Sequence, residues 1–128
     1  MNQPTTTAAG TARAAAEAIR TLNHLTFRPD AEAEWEMPGD VYSVIGALAY
    51  LVGRLPQTLR QAGELLEALH GTGRLRHDSG DPARLDTDVH NLHAATEQAT
   101  TMASMLARAL SDAHNDLAHI GYRDEEER

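Results

Sequence analysis

Leu85, Val89, Leu92, Thr96, Ala99, Ala103, Leu106, Leu110, Ala113, Leu117 and Ile120 recur at alternating steps of four and three, the spacing of one stripe along a single helix. Val41, Ile45, Leu48, Val52, Leu55, Leu59, Ala62, Leu66 and Leu69 do the same. The pattern predicts helices over 41–70 and 82–120, joined by a loop over 71–81 into a long antiparallel helical hairpin. Ala12, Ala15, Ile19 and Leu22 form a weaker seam and predict a shorter helix over 8–25. No β-branched run alternates with polar residues as a half-buried strand would. The expectation is an all-α helical bundle in one domain spanning 1–128, with loose ends at 1–7 and 122–128.

The residues between the seams supply the punctuation. Thr6 or Thr7 is suited to cap the first helix, and Asp40 the second. Pro29 and Pro38-Gly39 bracket an acidic connector carrying the only Trp, Trp35, whose ring is expected over the end of the bundle. His70-Gly71 ends the second helix, the glycine suiting the left-handed C′ position, and Asp81-Pro82 opens the third. Pro56 removes one hydrogen bond to the Val52 carbonyl and predicts a kink, because the seam keeps its register through Leu55 and Leu59; two shorter helices meeting there are the alternative. Val44, Leu51, Thr58 and Leu65 widen the stripe, so this helix expects more than one neighbour. Gly46 and Gly53, a heptad apart, predict a close helix approach. At ~1.5 Å per residue the last helix spans roughly 54 Å against roughly 43 Å for the second, and so overhangs it.

Composition narrows the classes. Apolar residues are 41% of the chain but aromatics only 4%, which calls for an aliphatic, alanine-rich core with closely approaching helices. The net charge of −8 repels phosphate backbones and argues against nucleic acid; Arg54, Arg60, Arg74, Arg76 and Arg84 are interleaved with Glu64, Glu67, Asp78, Asp81 and Asp86. All basic residues are Arg, a bias that points to a GC-rich bacterial coding sequence. With no Cys, disulfides, thiolate catalysis and Cys-ligated zinc are excluded, and a reducing cytoplasm is expected. The N-terminus has no charged-then-apolar leader pattern, and the apolar run from Val41 to Val52 is shorter than the ~20 residues a membrane span needs.

One constellation bears on chemistry. Asp86, His90, His93 and Glu97 are spaced four, three and four, on one helix face, and imidazole with carboxylate suits a divalent metal. His70, His77, Glu64 and Glu67 fall near the same end of the hairpin. These positions flank the apolar seam, however, and no Glu-x-x-His pair of the di-iron bundle type occurs. His24, His70 and His119 sit in last helical turns, where a cation meets the dipole. No nucleophilic triad or phosphate loop is present. The expectation is therefore a non-enzymatic protein without a cofactor, acting as a homodimer or on a protein partner, with Val44, Leu51, Leu65, Met102 and His114 facing that partner; a bound divalent metal is the alternative.

Two family resemblances accompany this reading. Gly63-Glu64-Leu65-Leu66-Glu67-Ala68-Leu69, followed by Asp86-Thr87-Asp88-Val89, resembles the paired acidic helices of MazG-like nucleotide pyrophosphohydrolases. There a Glu-Glu-x-x-Glu cluster and a later Glu-x-x-Asp hold magnesium against a nucleoside triphosphate. Here Arg60, Gln61 and Leu85 replace three of those carboxylates, leaving Glu64 and Asp88. Tyr122-x-x-x-Glu126 is similar to the tail of small helical-hairpin proteins exported by type VII secretion, although the Trp-x-Gly signature of that family is absent from the loop.

Overall fold

A computed structural model of the chain describes residues 6–27 and 37–123. It contains three helices, α1 (Ala8–Leu25), α2 (Pro38–Gly71) and α3 (Pro82–Leu117), and no strand among the described residues. The fold is all-α, and α2 and α3 pack closely as a helical hairpin. Two compact units divide the chain, one of Met1–Val41 with Gly121–Arg128 and one of Tyr42–Ile120. The Trp35 connector and Glu126 lie outside the described residues.

In the first unit, Thr7 is the N-cap of α1, extended at φ −116° and ψ 157°, with Oγ1 accepting from the Gly10 N–H at 2.9 Å. No residue of α1 is buried. The start of α2 departs from the expected capping. Pro38 takes an opening position that needs no N–H, and Asp40 lies inside the first turn, its carboxylate accepting from the Met37 N–H at 2.9 Å.

In the second unit, α2 runs without interruption through Pro56, which is itself buried. Gly71 remains helical, and the left-handed conformation falls to Gly73 (φ 74°), whose N–H reaches the His70 carbonyl at 3.2 Å. Thr72 Oγ1 donates to the Leu69 carbonyl at 2.6 Å and keeps the chain helical for that extra residue. Asp81 caps α3 as expected, accepting from the Ala83 N–H at 2.9 Å with Pro82 behind it. With α2 beginning earlier and α3 ending earlier than the pattern predicts, the helices have 34 and 36 residues and the overhang largely disappears.

On α2 beyond Val52 the line of closest approach is offset from the leucine seam. The less exposed positions of α2 continue from Val52 through Pro56, Leu59, Gly63, Leu66 and His70, where the apolar pattern points to Leu55, Ala62 and Leu69. On α3 the less exposed positions Leu85, Val89, Thr96, Ala99, Ala103, Leu110, Ala113 and Leu117 follow the predicted seam, with Leu92 and Leu106 exposed. Small residues explain the shift. A Cβ on Gly63 would lie 3.3 Å from Thr96 Oγ1, and one on Gly46 only 2.6 Å from His114 Nε2. Backbones approach most closely where side chains are smallest, and the leucines are left beside that line. Val52, Pro56 and Ala103 are the only buried residues among those described.

Candidate functional site

The α2–α3 hairpin has two unlike faces. On one, Arg60, Glu64 and Glu67 of α2 meet His93, Glu97 and Thr100 of α3 across an open groove of about 480 Å³. Toward the loop this continues into a smaller hollow of about 230 Å³ bordered by Glu67, His70, Asp86, His90 and His93. In an antiparallel pair, flanks on the same side of the contact line share one face, and the remaining flanks share the other. On that second face α2 carries Val44, Leu48, Leu51, Leu55, Leu65 and Leu69. From α3 come Leu92, Ala95, Ala99, Met102, Leu106 and Ala109. At about 100° per residue, Asp88 and Asp116 end this apolar stripe on α3 with no charged position between them, and on α2 between Val41 and Leu69 only Arg54 borders it, beside Leu65.

Much of the apolar face is open to solvent: Leu65 is 62% exposed, Met102 60% and Leu106 50%. Of the residues expected to face a partner, Leu65 and Met102 are exposed and Val44 and Leu51 half-buried on this face. His114 differs. Its ring stacks on Tyr42 with centroids 4.0 Å apart and presses on Gly46, so it belongs to the contact inside the hairpin. An imidazole fits there because Gly46 offers no side chain. At Gly53, by contrast, a methyl group would meet nothing within 4 Å, so this glycine brings no helix close.

The histidines and carboxylates at the loop end hold one another. The Ser79 N–H donates to His77 Nδ1 at 3.0 Å, which leaves Nε2 to donate to Asp88 Oδ2 at 2.9 Å. Asp78 Oδ1, 3.1 Å from Nδ1 on a fully solvated side chain, adds attraction only when the ring is protonated. His70 Nε2 lies 2.9 Å from Asp86 Oδ1, tying the end of α2 to the start of α3. His93 Nε2 pairs with Glu97 Oε1 at 3.2 Å along α3. Thus Asp86, His90 and His93 share the smaller hollow, while Glu97 borders the larger groove with His93. Among the described residues no group of three or more His, Asp or Glu side chains is arranged to hold a metal ion. Glu64 borders the groove, whereas Asp88 is bonded to His77 and lines neither the groove nor the smaller hollow, so the two carboxylates of the pyrophosphohydrolase resemblance are not brought to one site.

The sequence pattern misses Leu55, Leu69, Leu92 and Leu106 as surface positions, because it assigns them to the hairpin contact. The available signal was Gly63 opposite a small residue, which marks a closer line one position along. Comparison with known proteins finds no matching family model, no matching curated protein and no matching solved structure. No helix among the described residues is long and apolar enough to cross a membrane.

Proposed function

We infer that this protein is a non-enzymatic binding or assembly module that works through the apolar face of its α2–α3 hairpin. The supporting observation is the contrast between only three buried residues among those described and an apolar face bearing exposed Leu65, Met102 and Leu106. Soluble monomers rarely leave so extended an apolar patch uncovered, and such patches mark protein contacts. A two-helix layer also has one apolar side too many, which it satisfies by packing on another layer. The partner this face fits is therefore a protein surface with its own apolar helices.

A photo-crosslinking residue placed at Met102, on the apolar face, tests the reading in the producing cell, with Glu97 on the polar face as control. The expected result is an adduct of one defined mass from position 102 and none from 97. No adduct at 102, or equal yields at both positions, contradicts it.

A further inference from the structure

The apolar face has a definite size. Its two helices overlap over roughly 45 Å and together are about 20 Å wide, so the face covers about 900 Å². A standard stable interface takes about 800 Å² from each partner. α1, with 18 residues, is about 27 Å long and one helix wide, so it offers roughly a third of that area. A second hairpin of the same dimensions matches it.

The residues of the face are also self-complementary in volume at four of its levels. Gly46 lies against His114 and Gly63 against Thr96, so α2 and α3 positions whose numbers add to about 160 lie level. Leu48 is then level with Ala113, Leu51 with Ala109 and Leu65 with Ala95, while Thr58 is level with Met102. Across each of these levels one side chain is large and the other small, whereas Leu55 lies level with Leu106 and Leu69 with Leu92, large against large, and Ala62 with Ala99, small against small. A two-fold axis parallel to the helices lays α2 of one copy over α3 of the other at the same level, setting large residues against small ones at those four levels in both halves. An axis across the helices would instead set leucines of α2 against leucines of α2. Between Asp88, which is held by His77, and Asp116 the α3 side of the face carries no charge, so the copies meet over that stretch without burying an unpaired ion.

We propose that the occupant of this face is a second copy of the chain, forming an isologous four-helix bundle in which α2 of each protomer packs antiparallel on α3 of the other. The proposal rests on the reading of the face as an interaction surface, and it specifies the partner.

Because the chain has no cysteine, single-cysteine variants report the pairing directly. Thr58→Cys and Met102→Cys, both at exposed positions, are prepared separately as full-length chains, then mixed and mildly oxidised. The expected outcome is a mixed disulfide dimer in several-fold excess over either homodimer, alongside sedimentation of the unmodified chain at twice its 13.9 kDa mass. A homodimeric Met102→Cys disulfide forming as readily as the mixed one overturns the arrangement. A monomeric mass at high concentration overturns the second copy as occupant; if position 102 still yields an adduct to a different polypeptide in the cell, the interaction reading survives that failure. Loss of both signals ends both. Circular dichroism of each variant confirms that it is folded, and Leu51→Cys mixed with Ala109→Cys repeats the test should either fail.

Discussion

Gly46 and Gly53 occupy equivalent turns of α2 and meet opposite surroundings. A methyl at Gly46 would run into His114, whose ring is held by its stack on Tyr42, whereas a methyl at Gly53 meets nothing. Gly46→Ala is therefore expected to lose stability, by about 1–3 kcal/mol as overpacking does. Gly53→Ala is expected to gain about 0.5–1 kcal/mol, since alanine restricts the unfolded chain and favours helix. Urea unfolding of the two variants beside the parent checks both signs. Removing the clash in Gly46→Ala/His114→Ala should recover part of the loss if the ring is its cause. At this scale the sequence was only partly legible. Both glycines carried the same prediction of close approach, and only the position of the facing helix separates them.

At the scale of elements, the rhythm of the seams was enough to place α2 and α3 to within three residues at each end, and Asp81-Pro82 announced the start of α3. The line of contact was not legible, because the pattern Val52, Leu55, Leu59 and the pattern Val52, Pro56, Leu59 have nearly the same period. Small residues chose between them, and their effect depends on what lies opposite. The loop end rests on polar contacts that no apolar pattern records. His77 joins Ser79 to Asp88, so His77→Ala is expected to cost about 1 kcal/mol. It should also speed amide hydrogen exchange over 79–88 while leaving 45–60 unchanged. Asp81→Ala removes the α3 cap and should cost a further ~1 kcal/mol, read as a lower urea midpoint. Protection at 79–88 identical to the parent in both variants would mean that the loop is held by other contacts.

For the whole molecule, the hairpin buries Val52, Pro56 and Ala103 among its described residues while leaving a face of leucine, methionine and alanine uncovered. Cores of so few residues do not by themselves offset the entropy of ordering two long helices. The polar constellation Asp86, His90, His93 and Glu97 was legible as one helical face, yet its neighbours were not: His70 pairs with Asp86, a contact made only by folding the hairpin. Leu65, one of the positions that widen the stripe of α2, and Met102 of α3 are both exposed. If association through this face completes the fold, stability must depend on the concentration of the chain. The urea midpoint of the purified full chain, followed by circular dichroism across a hundredfold range of concentration, reads that dependence. Association-coupled folding requires a midpoint that rises with concentration, equivalent to about 2.7 kcal/mol over that range for a two-state dimer, and a rise that vanishes in Leu65→Glu/Met102→Glu. A cooperative midpoint that stays fixed from the lowest concentration to the highest would contradict it, because the fold would then be complete within one chain.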